Sequence, residues 1–374
     1  MCISPLPQQT LENMNRFKYK SEDKSILYNK FLSPCLNKLV NFIPRWLAPN
    51  LITFFSLCCN IFAAIISYLD GGFDFSFKLK RSTCLITGVF QLLYLILDNI
   101  DGKQARRTGN STPFGMLMDH GCDIFTNIFT SFNLSKLLLV GNDTFFSFSV
   151  FFGLILGFYM MTYEEYKLGA MTFPPINGAD EGNAFIFLLG VFLSIVGQDP
   201  MTYPISFFFS ITFGQLIGFV VLLGGFSCVF NLYLHTYKKK GYKEALKNFL
   251  DNIPFYAVVI VPTLFIEYNL EFYINHKWII LCNACLIFAR ITLDIQIKIL
   301  TLDTLACNFM FVFSNFAFIL SLFISIEIVL LYFLILLFIV QTTEISIFIY
   351  KRAKQITDFL GIRIFFVKNT SAQI

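Results

Sequence analysis

Charge is what this sequence has least of. Asp, Glu, Lys and Arg together make up 14% of its 374 residues, where a soluble domain carries about 25%. That shortage excludes an ordinary water-facing globule. The hydrophobic share is 56% and the mean hydropathy is +0.66 over the whole chain. Such a value is too high for one apolar anchor on a soluble body, so the bilayer is the expected solvent. The first 15 residues contain no apolar core preceded by positive charge, so no cleaved signal peptide is expected and insertion falls to the first apolar run. Internal repeats are also missing. Cys282 and Cys285 form a C-x-x-C pair, but it has no second pair and no nearby histidine. That argues against zinc or redox work and for thiols packed as small hydrophobes.

Apolar runs of membrane-spanning length are abundant. They fall at 51–69, 83–100, 121–140, 145–163, 184–197, 204–234, 254–268, 278–297, 304–323 and 327–350. The expected fold is therefore all-α, a polytopic transmembrane helical bundle of about ten spans. Residues 26–48 alternate apolar and basic positions (Lys30, Lys38, Arg45) and end near Trp46, as in an amphipathic helix lying at the membrane interface. With the N-terminus in the cytosol, most Lys and Arg fall on the cytosolic side. Lys78, Lys80, Arg81, Lys136 and Lys277 fall opposite, and Arg290 lies within a span. The four glycosylation sequons, at Asn110, Asn133, Asn142 and Asn369, carry no weight. The expected organisation is 1–48 cytosolic N-terminus and interfacial helix, 49–185 catalytic core, 186–350 C-terminal helices and 351–374 cytosolic tail.

One stretch concentrates chemistry. Residues 98–123 follow the pattern D-x2-D-G-x2-A-R-x8-G-x3-D-x3-D, carried by Asp98, Asp101, Gly102, Ala105, Arg106, Gly115, Asp119 and Asp123. Asp98 and Asp101 are three apart, Asp119 and Asp123 four apart, so each pair shares a helix face. Two such helices side by side would converge four carboxylates at the end of two spans. There their mutual repulsion calls for one or two divalent cations. Oxygen-only ligands favour Mg²⁺ or Mn²⁺. Gly102, Ala105 and Gly115 leave room for close approach, and Arg106 offers planar donors to a phosphate. Together these features point to a diphosphate ligand.

This pattern resembles the signature of the CDP-alcohol phosphatidyltransferase family at every position. The words around it resemble the eukaryotic choline and ethanolamine phosphotransferase branch: Asp98 to Thr108, Asp119-His-Gly-Cys-Asp123, Ala48-Pro-Asn-Leu-Ile-Thr53, Tyr163 to Gly169, Asn177-Gly178, Glu181-Gly182 and the tail 355–367. Between about 186 and 350 the likeness is in hydropathy alone. The resemblance implies metal ligation by Asp98, Asp101, Asp119 and Asp123, phosphate binding by Arg106, and space for the CDP moiety at Gly102, Ala105 and Gly115. It places Asn50 on the nucleotide side. The general base stays open between Asp123 and the pair His120 and Glu181.

The implied reaction transfers phosphoethanolamine or phosphocholine from a CDP-alcohol to 1,2-diacylglycerol and releases CMP. It would take place at an endoplasmic reticulum or Golgi membrane, with the site facing the cytosol. The partners are then CDP-ethanolamine or CDP-choline, diacylglycerol and membrane lipids, with room for a homodimer. Two alternatives are a CDP-diacylglycerol-dependent phosphatidyltransferase with a soluble alcohol acceptor and a polytopic transporter. Glu164 and Glu165 are expected as solvated loop charges, and Arg290 and Asp294 as a structural pair.

Overall fold

The computed structural model describes residues 3–17, 20–141, 145–205, 211–303 and 309–367. The sequons at Asn142 and Asn369, and residues 206–210 and 304–308 of two expected spans, lie outside them. Two short helices, α1 (Gln8–Asn13) and α2 (Ser33–Leu39), precede the bundle. Its helices are α3 (Pro49–Gly71), α4 (Arg81–Thr108), α5 (Pro113–Leu138), α6 (Phe145–Leu168), α7 (Asn183–Val196), α8 (Phe213–Lys240), α9 (Tyr242–Asp251), α10 (Ile253–Tyr268), α11 (Leu270–Thr301), α12 (Phe309–Leu320) and α13 (Glu327–Leu360). The only strands among the described residues, β1 (Ser21–Asp23) and β2 (Met171–Phe173), pair in parallel.

Each of the ten expected spans meets a helix, but the count of ten is not reproduced. Among the described residues six helices are long and apolar enough to cross a membrane, or seven if the bent pair α9 and α10 is one span. One reason is visible in α5, which spends its length on Thr126, Asn127, Thr130, Ser131, Asn133, Ser135 and Lys136. These groups are satisfied inside the bundle. Thr130 donates to Asn60 of α3 at 3.2 Å, and the fully buried Lys136 donates to the carbonyls of Gly71 and Asp74 at 3.0 and 2.8 Å. Where lipid supplies no hydrophobic drive between helices, such bonds and small residues hold them together. The α4–α7 crossing is of that kind. A Cβ on Gly190 would lie 2.7 Å from the Cys84 carbonyl, so only glycine admits this approach. Nearby, Gln91 donates to Asn183 at 2.6 Å.

The interfacial segment is broken into a π turn (Tyr28–Leu32), α2 and a 3-10 turn (Val40–Phe42). One face, Leu36 and Val40, packs on Ile52 and Ile100. Phe42 and Trp46 on the other are 85% and 75% exposed, as a membrane-lying element requires. The end of α4 clamps the segment. Lys103 donates to Tyr28, Ser33 and Asn37 at 3.3, 3.1 and 2.9 Å, and Arg107 donates to the carbonyls of Val40 and Ile43 at 2.8 and 2.7 Å. At the opposite end, Lys78 pairs with Asp199 and Lys80 with Asp70, so the basic cluster that breaks the charge bias has acidic partners. The hydrogen bond and charge of Lys78 hold the exposed Asp199 carboxyl below its ordinary value.

Among the candidate spans α11 is the most enclosed, with 72% of its most apolar 18 residues buried, and it packs on α5, α6, α10 and α13. Arg290 and Asp294 pair as expected, at 3.6 Å, but within a wider network. Arg290 Nε also donates to both oxygens of Glu344 on α13 at 3.0 and 3.1 Å. Asp294 also binds Lys298. Cys282 and Cys285 are free thiols on this helix.

Candidate active site

The site is built on the α4–α5 hairpin. α4 ends at Gly109, whose left-handed backbone (φ 68°) closes the last turn. α5 starts with Thr112 as N-cap, its hydroxyl accepting from Gly115 N at 3.0 Å, and Pro113 in the first turn. This turn brings the last three turns of α4 against the first three of α5. Asp98, Asp119 and Asp123 each offer a carboxylate oxygen within 4.8 Å of the others. Asp98 Oδ1 is buried with no hydrogen-bond partner. An orphaned acceptor among three acid groups is a site for a cation with oxygen ligands, so the residues present fit Mg²⁺ or Mn²⁺.

The fourth aspartate is placed differently. Asp101 is 5% exposed, accepts from the Thr53 hydroxyl of α3, and is not part of the three-carboxylate group. Tyr94, one turn before Asp98, donates to Asp123 at 3.0 Å, and Asn127 donates to the Asp123 carbonyl at 2.9 Å.

The expected ligand-binding residues lie on α4, at the start of α5 and at the start of α3. The Arg106 guanidinium lies over Gly102, 3.6 Å from where a Cβ would stand. A Cβ on Gly115 would lie 3.3 Å from Thr112 Oγ1, a tight contact, and 3.5 Å from Asn50 Oδ1, so Asn50 lies against the start of α5. Asn50 Nδ2 donates to the Ile364 carbonyl at 2.8 Å, which ties the C-terminal tail to this corner. Ala105 is half-buried on α4.

The three candidates for the base are separated by the fold. Asp123 belongs to the cation group. Glu181 has both oxygens engaged, accepting from Ser25 Oγ, Leu27 N and Asn177 N at 2.8, 3.0 and 3.1 Å. It thereby staples the N-terminal segment to the loop before α7. Burial pushes the neighbouring Asp23 carboxyl up, against the Ser25 N–H bond that lowers it. His120 is 8% exposed on α5. Its Nδ1 lies 3.3 Å from Gln296 Oε1 of α11 and 4.0 Å from Glu165 Oε2 of α6. Glu165 is thus no solvated loop charge: it sits in the last turns of α6 and is 3% exposed. Glu164 accepts from or is paired with His235 at 2.8 Å.

Thr53, Tyr94, Glu165 and Gln296 were not legible as site residues. Tyr94 shares a face with Asp98 by its i, i+4 spacing, and Glu165 lies in a segment flagged only by resemblance. For Gln296 the sole sign is an amide inside an apolar run.

A polytopic helical bundle with converging carboxylates at one end of two of its helices defines an integral membrane protein with an acidic cluster that could hold a metal ion. The chain belongs to the CDP-alcohol phosphatidyltransferase family, whose sequence profile matches residues 46–197. An uncharacterized CDP-alcohol phosphatidyltransferase class-I family protein of Schizosaccharomyces pombe is 30% identical over 303 residues, 76% of each chain. Choline/ethanolaminephosphotransferase 1 of Arabidopsis thaliana is 33% identical over 186 residues, 50% of this chain and 47% of that one. Ethanolaminephosphotransferase 1 of Mus musculus is 28% identical over 276 residues, 69% of this chain and 66% of that one. The chain spans about half the length of several of the curated relatives it matches.

Proposed function

We propose that the chain transfers phosphoethanolamine or phosphocholine from a CDP-alcohol to 1,2-diacylglycerol, forming the phospholipid and releasing CMP. The observation that carries this reading is the approach of Asp98, Asp119 and Asp123 to within 4.8 Å, on the same hairpin that carries Arg106 over Gly102. Relatives named as choline/ethanolaminephosphotransferases support the aminoalcohol branch.

In this reading residues 49–185 are the catalytic core. Asp98, Asp119 and Asp123, with Asp101 beside them, would hold Mg²⁺ or Mn²⁺, which when bound supplies neutralising charge to a diphosphate and its leaving group. Arg106 donates to the phosphate oxygens and Asn50 orients the nucleotide. The 3-hydroxyl of diacylglycerol attacks the β-phosphorus. A new P–O bond forms to the lipid, and the bond to the CMP oxygen breaks. His120 accepts the hydroxyl proton. Its assignment is supported by the engagement of Glu181 with three donors and by the place of Asp123 in the cation group. The site lies where the end of the α4 span meets the start of α5, a place where a lipid acceptor and a water-soluble donor can meet. The bias of Lys and Arg supports a cytosolic face, and the branch supports an endoplasmic reticulum or Golgi membrane.

The test uses the purified full-length protein in proteoliposomes containing diacylglycerol, with labelled CDP-ethanolamine, CDP-choline or CDP-diacylglycerol plus a soluble alcohol. CMP release with labelled phospholipid from either CDP-aminoalcohol is expected, ending on chelation and returning with Mg²⁺ or Mn²⁺. Turnover of CDP-diacylglycerol alone, or full activity after rigorous chelation, overturns the proposal. Competition between the two CDP-aminoalcohols then ranks the head groups.

A further inference from the structure

The helix α11 lies beyond residues 46–197, which the family profile matches, yet it reaches His120. Gln296 is fully buried, and its Oε1 lies 3.3 Å from His120 Nδ1. The face of α11 that carries Arg290 and Asp294 turns instead to α13 and Lys298. Glu165 Oε2, also buried, stands 4.0 Å from the same ring nitrogen. A carboxylate accepts and does not donate, and an amide oxygen does the same. In the proposed reaction Nδ1 therefore donates toward these two acceptors, and Nε2 is the nitrogen that takes the hydroxyl proton. Gln296 Nε2 has no hydrogen-bond partner. The side chain thus leaves a buried donor unsatisfied while its oxygen meets the histidine, an arrangement that costs stability.

We infer that Gln296 is a positioning residue for the proposed transfer: it fixes the rotamer and tautomer of His120 so that Nε2 faces the acceptor hydroxyl. The inference rests on the assignment of His120 as the group that takes the proton. It adds to that assignment a requirement from a helix far along the chain.

The variants are Gln296→Met, which keeps the length and unbranched shape of the side chain and removes the acceptor, His120→Ala, and the two combined. Each is assayed for CMP release in proteoliposomes with CDP-ethanolamine or CDP-choline, and for melting temperature in detergent. Gln296→Met is expected to lower kcat by about 10- to 100-fold and to leave KM for the CDP-alcohol within about twofold. Its melting temperature should be equal or higher, since an unsatisfied amide is gone. The combined variant should be no slower than His120→Ala, because residues that act as a unit are not additive. Unchanged kcat in Gln296→Met, or a loss that multiplies with that of His120→Ala, overturns the positioning role. Full turnover in His120→Ala overturns the assignment of the base itself, a separate outcome.

Discussion

At the scale of single residues, the site shows how acid groups are made useful by what is withheld from them. Asp98 keeps an oxygen without a donor, whereas Asp123 has Tyr94 and Asp101 has Thr53. These bonds pin two of the four carboxylates, which in the proposed function cuts the ordering cost of binding a cation. Replacing Asp98 or Asp119 by alanine is expected to cut turnover by about a thousandfold while leaving membrane insertion intact. CMP release and carbonate extraction of membranes measure the two. Thr53→Val removes the donor to Asp101 at nearly constant shape. A buried charged acceptor left without its bond costs about 1–3 kcal/mol, so kcat/KM should fall about tenfold. Wild-type kcat/KM in this variant would mean that Asp101 needs no such support.

Between elements, close approach decides the geometry. α4 carries two of the aspartates and is held in place by α3 on one side and α7 on the other. The α4–α7 contact depends on Gly88 facing Gly190, where a Cβ on Gly190 would meet the Gly88 Cα at 2.7 Å. Gly190→Val is expected to push the helices apart at about 1–3 kcal/mol, lowering the melting temperature and tilting Asp98 away from Asp119. A thermal melt in detergent and a metal titration of activity follow the two effects. The N-terminal segment is fastened in the same region by different means: β1 on β2, Glu181 on Ser25 and Leu27, Lys103 on Tyr28, Ser33 and Asn37. Residues read from sequence as cytosolic charge or as a possible base therefore also serve as fasteners over the hairpin.

Over the whole molecule, α11 joins the family core to the C-terminal helices. Its buried Arg290 meets Glu344 of α13 while the guanidinium stacks 3.7 Å above the Phe348 ring. Removing Glu344 leaves buried Arg290 with the longer contact to Asp294 at 3.6 Å, and breaking a buried pair costs about 3–5 kcal/mol. Glu344→Ala should therefore melt at markedly lower temperature. Replacing Arg290 and Glu344 together by methionine should recover most of that loss, since a well-packed apolar pair carries no desolvation cost. A double variant as unstable as Glu344→Ala would assign the pair a role beyond mutual neutralisation.

Much of this protein is written in local pattern. Scarce charge and long apolar runs specify a helical membrane bundle, because each unsatisfied backbone group in lipid forces helix formation within its own segment. The spacing of Asp98, Asp101, Asp119 and Asp123 leads to the expectation of an acidic cluster, because i, i+3 and i, i+4 positions share a helix face whatever the helix packs against; three of the four converge. Packing between distant segments follows no such period. Only the folded chain turns Asp101 to Thr53, draws Glu165 out of the water toward His120, hands both oxygens of Glu181 to the N-terminal segment and brings Gln296 to the histidine ring from 176 positions away. Those contacts come from how α3, α6 and α11 close around one hairpin, and pairing across the chain is a property of the assembled bundle.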